Sequence, residues 1–189
     1  VMIPCDEVDS AKAVEFASSH VSTIQLDRLV QSSDLPFVGC DNSAGIDLII
    51  KHLDESVDEE NQPVIIIGGG GSTSSGRERL QELILRRPDS PVLDGDFSFE
   101  WGKEAASRIM LDGCFSGTIV ATADVIALGA ASTFISAGKS IPRDFRVIGF
   151  DDVGVAYLSH PTLTTISQPL TDMTDAIFAF QVSNPPPDK

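Results

Sequence analysis

The chain has 189 residues, of which 42% are hydrophobic and 22% charged, a balance typical of one large globular domain or two small lobes. The formal net charge of −15 at pH 7 argues against direct contact with nucleic acid, because proteins contact phosphates through Lys and Arg. Apolar runs such as 64–67 are far too short to cross a bilayer. No basic segment followed by an apolar one opens the sequence, so no signal peptide is predicted.

Short runs rich in Val and Ile predict strands that are buried on both faces. In chain order, the predicted strands are two weak ones at 1–3 and 23–26, followed by strong ones at 64–67, 118–121 and 146–150. Because two weak strands make a poor sheet on their own, the first part of the chain is expected to be an incomplete lobe.

Stretches with helical periodicity lie between the predicted strands. At 44–53, Ile46, Ile49 and Leu53 fall on one stripe of a helix. The stretch 124–137 is apolar nearly all round, which predicts a deeply buried helix. The other predicted helices lie at 11–19, 73–86 and 98–111. The alternation of strands and helices predicts right-handed βαβ units, and so an α/β fold with mainly parallel sheets flanked by helices.

Two stretches interrupt this pattern. The acidic stretch 54–62 is typical of a solvated loop or a frayed helix end. The stretch 183–189 contains three consecutive prolines, which predicts an irregular tail.

The glycine run 68–71 follows a predicted strand and precedes a predicted helix, as in a phosphate-binding loop. The third glycine of a dinucleotide fingerprint is missing from it. The spacing of a P-loop is present up to Gly76, but Arg77 and Glu78 stand at its Lys and Ser/Thr positions. Glu78 would repel a phosphate at the start of the helix. The run therefore favours a flexible turn that carries Ser and Arg side chains to a cleft, with a nucleotide site as the alternative.

The motifs of common enzymes and metal sites are missing. No GxSxG sequence is found, the three histidines lie in unrelated contexts, and no Cys/His or acidic ligand spacing is present. We therefore expect no catalytic residues, no metal and no cofactor.

Charged side chains follow the strong strands where those strands end. Asp151 and Asp152 come directly after 146–150, and Asp124 follows 118–121. Open parallel α/β sheets bind ligands at the carboxyl ends of their strands. An alternative is that the aspartate pair caps the next turn and that Asp124 is only a helix N-cap.

Arg79 lies one turn into the helix after the glycine run. Alone it would be a surface arginine, but three strand ends that each offer a charge predict a polar, non-catalytic pocket suited to polyols. Carboxylates accept hydrogen bonds from hydroxyl groups, and an aromatic ring such as Phe97 or Trp101 covers the face of a sugar ring.

Three linked segments resemble the LacI/GalR (lactose/galactose repressor) family. Residues 118–130, TIVATADVIALGA, are similar to its strand–helix junction A-N-D-x-x-A-L-G. Residues 140–152, SIPRDFRVIGFDD, match x-x-P-x-D-x-x-V-x-G-F-D-D, and 160–169, HPTLTTISQP, resemble P-x-L-T-T-V-x-Q-P. Weaker matches lie at 25–28 and 38–42, so the resemblance covers nearly the whole chain.

The resemblance implies a two-lobed fold like that of type I periplasmic binding proteins, with the effector in the cleft between the lobes. By this analogy, 1–40 and 169–182 form a partial N-terminal lobe, 41–168 form the C-terminal lobe, and 183–189 form a tail. The family's helix-turn-helix and hinge helix are expected before Val1 and are absent from this sequence.

The resemblance also implies a set of effector-binding residues. Arg79 is expected to clamp the effector, Asp151 to accept hydrogen bonds from it, and Phe97 to form an aromatic wall. The full set is Asp27, Ser75, Arg79, Phe97, Asp124, Asp151 and Gln168. Two positions depart from the family pattern: Ala123 replaces an effector-binding asparagine, and Glu82 replaces a glycine.

A member of this family is expected to be a cytoplasmic homodimer whose effector-binding domain controls operator binding allosterically. The effector is expected to be a small molecule, a sugar or a derivative, and operator DNA is contacted only through the N-terminal helix-turn-helix. No membrane contact is expected. Three alternatives remain: an exported sugar-binding protein of an uptake system, a nucleotide-using enzyme built on 68–71, and a repressor that responds to a protein co-regulator.

Overall fold

The computed structural model describes residues 1–55, 62–71 and 73–184. Its helices are α1 (Ala11–Ser18), α2 (Asn42–Asp54), α3 (Ser74–Arg86), α4 (Phe99–Leu111), α5 (Asp124–Ser136), α6 (Gly154–Leu158) and α7 (Leu170–Ser183). Its strands are β1 (Gln25–Leu26), β2 (Phe37–Val38), β3 (Val64–Ile67), β4 (Val92–Leu93), β5 (Gly117–Ala121), β6 (Phe145–Asp151) and β7 (Thr164–Ser167).

The chain forms two compact units. Unit 1 is drawn from the described residues of Val1–Asp41, Ser72–Ser75 and Gln168–Lys189. Unit 2 is drawn from those of Asn42–Gly71 and Gly76–Ser167.

Unit 2 is built on a five-stranded parallel sheet with the order β4-β3-β5-β6-β7. Every residue of the central strand β5 is buried, because helices cover both faces of the sheet and leave no face for polar residues. The α/β fold with a parallel sheet, predicted from the sequence, is confirmed.

The two faces of this sheet carry separate apolar layers, because successive strand residues point to opposite sides. On one face, Ile67 and Ile119 pack with α4 and α5 in a cluster that includes stacked rings of Phe134 and Phe145, whose centroids are 3.9 Å apart. On the other face lies Phe150, which is fully buried. Phe150 of this second layer contacts the polar cluster described below.

Helix α5 is less enclosed than its composition predicts. Its inner positions, such as Ile126 and Phe134, are fully buried, but Val125 and Leu128 are only partly buried and Ile135 is 45% exposed. One side of this apolar helix therefore packs against the core, and the other side is an open apolar stripe.

Unit 1 contains the two-stranded parallel sheet of β1 and β2, with α1 and α7. The strand predicted at 1–3 is wrong. Only Met2 makes a bridge, donating to the Ile24 carbonyl at 2.9 Å and accepting from Leu26 at 2.8 Å. A single bridge forms there because β1 itself has only two residues and offers little to pair with.

Two helices extend further toward the C-terminus than the sequence predicted. Helix α7 includes Ser183, where the irregular tail was predicted to begin, and 185–189 lie outside the described residues. Helix α2 continues through Asp54, so the predicted acidic loop starts as helix, and 56–61 also lie outside the described residues. In the part of the chain that is described, no helix is long and apolar enough to span a bilayer.

Candidate functional site

Arg79 is the centre of a buried polar cluster in unit 2. It lies in the second turn of α3, and its guanidinium is aimed at the carboxyl ends of β5 and β6. Its Nε donates to Asn42 Oδ1 at 2.7 Å, and its Nη1 donates to the Thr122 carbonyl at 3.1 Å and to Asp151 Oδ1 at 2.7 Å. Three acceptors from three elements therefore fix the plane of the guanidinium.

The ring of Phe150 lies beside this guanidinium, with Arg79 Cζ 3.9 Å from the ring centroid. This distance is well within the range of a cation–π contact, which is strengthened when water is excluded. Phe150 is fully buried, so it supports the charged group from the core side. Sequence reasoning missed this role because the aromatic residue looked like an ordinary part of a buried strand.

Asn42 is a second residue that sequence reasoning missed. It begins α2 and is almost fully buried. Its Oδ1 accepts from Arg79, and its Nδ2 donates to Glu78 Oε2 at 2.6 Å. Both ends of the amide are thus engaged, and Asn42 orients Arg79 from the side opposite Asp151. The weak family match at 38–42 was the only signal that could have indicated it.

Asp151 is the last residue of β6 and the one acidic group that meets Arg79 in the described ion pairs. The side chain of Arg79 is 3% exposed and that of Asp151 is 16% exposed. The carboxylate therefore neutralises the buried cation and still reaches the surface at the edge of the sheet. The structure brings these two predicted residues into direct contact.

Asp124 lies next to this pair in the fold but its carboxylate is fully buried. Its Oδ1 accepts from Thr165 Oγ1 at 2.6 Å and its Oδ2 accepts from the Val153 N–H at 2.9 Å. The alternative that Asp124 is the helix N-cap is wrong: Ala123 is the cap, and Asp124 is the first helical residue.

Burial raises the pKa of Asp124 above its ordinary value, because the charged form loses its hydration. The hydrogen bonds from Thr165 and Val153 oppose this rise, and the nearby negative charges of Asp151 and Asp152 add to it. The carboxylate is therefore held in place by donors from two other segments.

The two candidate aromatic residues differ in their environment. Trp101 is buried, and its Nε1 donates to the Gly68 carbonyl at 2.7 Å, so its ring belongs to the core. Phe97 follows β4 and is 40% exposed. Of the two side chains, Phe97 is therefore the more exposed.

Three predicted residues belong to unit 1. Asp27 follows β1 with a φ of 65° and pairs with Arg28 at 3.6 Å. Ser75 is buried in the first turn of α3, and Gln168 lies between β7 and α7, half-buried. Their part in effector binding stays a prediction, as does that of Phe97.

The two positions that depart from the family pattern have clear packing roles. Ala123 is fully buried in the apolar cluster between the sheet and α5. Glu82 accepts from Ser43 Oγ of α2 at 2.9 Å and pairs with Arg86. These hydrogen bonds lower the pKa of Glu82. At the position where the family has a glycine, Glu82 therefore forms a hydrogen bond that links α3 to α2.

The glycine run after β3 is explained by packing. A Cβ on Gly69 would lie 2.9 Å from the Asp96 carbonyl oxygen and 2.3 Å from Ile126 Cδ1 of α5, so a larger residue would clash with backbone as well as with a side chain. Glu78 is hydrogen-bonded to Asn42, which leaves a negative charge where a P-loop has its Ser or Thr. Within 1–55, 62–71 and 73–184, no three potential metal ligands are grouped together.

Comparison with known proteins places this fold and site in a family. Residues 72–183, more than half of the chain, match the family described as periplasmic binding protein-like domain. The chain therefore belongs to that family, as a LacI-family effector-binding domain.

Two curated relatives illustrate this. The chain is 27% identical over 165 residues to the ribose operon repressor of Halalkalibacterium halodurans, covering 84% of this chain and 48% of that protein. It is 31% identical over 169 residues to the HTH-type transcriptional repressor PurR of Photobacterium profundum, covering 80% of this chain and 51% of that protein. The chain thus spans about half the length of these relatives.

Solved structures agree. A dimeric Lac repressor with a C-terminal deletion is 28% identical and superposes with a TM-score of 0.76 over 96% of this chain and 68% of that one. A probable LacI family transcriptional regulator from Corynebacterium glutamicum has the same fold, with a TM-score of 0.82, 22% identity, and 96% of this chain and 70% of that one covered. The family and the periplasmic-binding-protein-like fold expected from the sequence motifs are confirmed.

Proposed function

We propose that this chain is the effector-binding and dimerisation domain of a cytoplasmic transcriptional repressor that senses a sugar or sugar derivative. The observation that carries the proposal is the buried Arg79–Asp151 pair at the carboxyl edge of the parallel sheet. Family membership supports this proposal. So do the curated relatives, which are repressors and include a ribose operon repressor.

The chemistry of the pair suits a hydroxyl-rich ligand. The guanidinium supplies donors in a fixed plane, and the partly exposed carboxylate supplies an acceptor beside it. Vicinal hydroxyl groups can donate to Asp151 and accept from Arg79 at once. Phe97, which follows β4 and is partly exposed, is proposed to cover the apolar face of the sugar. Asp27, Ser75 and Gln168 are also proposed to bind the effector.

No reaction is proposed at this site. A hydroxyl group near Asp151 is proposed to be bound rather than activated. The repressor function is favoured over the exported sugar-binding protein because the relatives named above are repressors. The assignment of 1–40 and 169–182 to one lobe and of 41–168 to the other stays a proposal. The division into two units supports it except at Asp41, 73–75 and Gln168, which group with unit 1.

The domain is proposed to bind the effector and not to contact DNA. A net charge of −15 is unsuited to phosphate contacts, so operator binding is assigned to a helix-turn-helix segment of the full protein. Effector binding would change operator affinity by favouring one of two states of the protein, which is allostery through differential contacts.

The open stripe of α5 supports the homodimer. Val125, Leu128 and Ile135 line an apolar cavity of about 430 Å³ together with Val155 of α6. Contiguous exposed apolar surface marks a protein interface. A second copy of the chain is the proposed occupant, because homo-oligomers bury self-complementary patches and a structural relative is a dimeric repressor.

Sedimentation of two variants tests this interface. Leu128→Lys is expected to convert a dimer to a monomer, because a charge would be buried in the apolar stripe. The matched control is Leu111→Lys, at the exposed end of α4, which is expected to leave the dimer intact. A monomeric wild type, or a dimer that persists in Leu128→Lys, would contradict the proposal.

The ligand class is tested by a thermal-shift screen of the purified chain. The panel contains pentoses, hexoses and galactosides, since one curated relative is a ribose operon repressor, and the purine bases hypoxanthine and guanine as ligands of a different chemical class. A pentose or hexose is expected to raise the melting temperature by preferential binding to the folded state. A shift with the purine bases alone would exclude a sugar as the effector.

A further inference from the structure

The turn that carries Asp151 has an unusual backbone. Asp151 has a φ of 115° and Asp152 has a φ of 55°. Two successive residues with side chains in positive φ are unfavourable and persist only where the surroundings hold them. This turn presents the carboxylate that meets Arg79, so what holds the turn also determines where that carboxylate lies.

Asp124 is the group that holds it. One oxygen of its buried carboxylate accepts from the Val153 N–H, directly after the turn, at 2.9 Å. The other accepts from Thr165 Oγ1 of β7 at 2.6 Å, and the same Thr165 oxygen accepts from the Asp152 N–H at 3.4 Å. The amides of both residues that follow Asp151 are thus connected to one carboxylate.

The surrounding packing is fitted to this carboxylate. A Cβ on Gly149 of β6 would lie 2.2 Å from Asp124 Oδ1, so the carboxylate occupies space that any other residue at 149 would fill. Burying a charged group is costly unless it is hydrogen-bonded, and burial raises the pKa of Asp124. An apolar residue at the start of α5 would avoid this cost, so the buried acid requires a further reason.

We propose that Asp124 is a positioning residue that fixes the turn 151–153 and thereby places the Asp151 carboxylate opposite Arg79. It acts through the Val153 amide and through Thr165, without touching the effector. This replaces direct contact with the effector as the role of Asp124. The value of the positioning for effector binding rests on the proposed function, but the positioning itself is a property of the chain without ligand.

Thr165 provides the sharpest test because two substitutions separate its hydroxyl group from its shape. Thr165→Val keeps the volume and removes the hydroxyl group, whereas Thr165→Ser keeps the hydroxyl group and removes a methyl. The readouts are the side-chain N–H resonances of Arg79 and the backbone amide resonances of Asp152 and Val153, measured by NMR without ligand. Asp151→Asn serves as the reference for a perturbed Arg79 pair.

In Thr165→Val, the Arg79 resonances are expected to move toward their positions in Asp151→Asn, and the Asp152 and Val153 amides are expected to shift. In Thr165→Ser, all of these resonances are expected to stay near their wild-type positions. Amide exchange of Val153 is expected to quicken about tenfold in Asp124→Ala, through loss of a hydrogen bond to a charged acceptor.

The proposal is overturned if Thr165→Val and Asp124→Ala lower the melting temperature but leave the Arg79, Asp152 and Val153 resonances unchanged. If Asp124→Ala does not fold, the comparison of Thr165→Val with Thr165→Ser is sufficient to test the proposal. Because no ligand is added, a negative result here removes the positioning role and leaves the proposed sugar-sensing function untouched. Failure of the ligand screen, conversely, leaves this result standing.

Discussion

Arg79 Nη1 donates to Asp151 Oδ1 across 2.7 Å, and this contact joins α3 to the end of β6. The ion pair is almost enclosed, so neither charge can be fully solvated if its partner is lost. Asn42 accepts from Nε of the same guanidinium, and the Thr122 carbonyl also accepts from Nη1. An effector that binds here meets a preorganised donor and acceptor, which reduces the entropy lost on binding.

Removing one charge of this pair is expected to destabilise the domain strongly. Asp151→Ala leaves a buried, uncompensated guanidinium and is expected to lower the free energy of unfolding by about 3–5 kcal/mol. Urea unfolding followed by circular dichroism measures this change. The matched control is Glu100→Gln, which breaks the exposed pair of Lys103 and Glu100 and is expected to cost at most about 1 kcal/mol. Equal losses in the two variants would show that the pair is effectively solvated.

Gly149→Ala is expected to destabilise unit 2 by about 1–3 kcal/mol, because its methyl group would overlap the Asp124 carboxylate. Gly154→Ala is the control, since a Cβ there meets no atom within 4 Å, and its effect is expected to be about 0.5 kcal/mol or less. Unfolding in urea compares the two. In the background of Asp124→Ala, Gly149→Ala is expected to lower the free energy of unfolding by less than it does in the wild type. If the effects of the two substitutions simply add, the methyl group does not clash with the Asp124 carboxylate.

Asp124 is expected to give the domain a specific pH dependence. Its pKa is raised above the ordinary value of 3.8 in the folded chain, so the folded state binds the proton more tightly than the unfolded state. Its contribution to stability is therefore fully present below about pH 4 and is lost as the pH rises through the raised pKa.

Asp124→Asn does not titrate and provides the comparison. From about pH 4 to about pH 7, the urea midpoint of the wild type is expected to fall relative to that of Asp124→Asn. Glu82 and Asp144, whose pKa values are lowered by Arg86 and Arg143, act in the opposite direction in both proteins and cancel in the difference. A difference that is constant or that rises with pH would contradict the raised pKa.

The sequence predicted the centre of the sheet well and its edges poorly. Strand β3 was predicted with its observed bounds, since Val64–Ile67 is a run of β-branched residues that must be buried. The edge strand β4 has only two residues, as does β2 in the separate sheet of unit 1, and two residues are too few to show any periodicity. Helix α5 was predicted correctly, but its open stripe was not, because composition shows that a residue is apolar and not what covers it.

Similarly, the sequence identified part of the polar cluster. Arg79 and Asp151 were expected from strand ends and from the family motifs, and they meet in the structure. Asn42, Phe150 and Thr165 were missed, because their roles depend on partners that are distant in the chain. Thr165 contacts Asp124 across 41 residues, a relation that no local pattern contains.

The central claim is that Arg79 and Asp151 bind the effector of a repressor domain. Isothermal titration with the sugar that gives the largest thermal shift, on wild type, Asp151→Asn and the surface control Glu100→Gln, tests it most directly. Asp151→Asn is expected to weaken binding at least about tenfold, through loss of a charged acceptor, while Glu100→Gln is expected to bind like wild type. Equal affinity in Asp151→Asn and wild type, with both proteins folded, would contradict it.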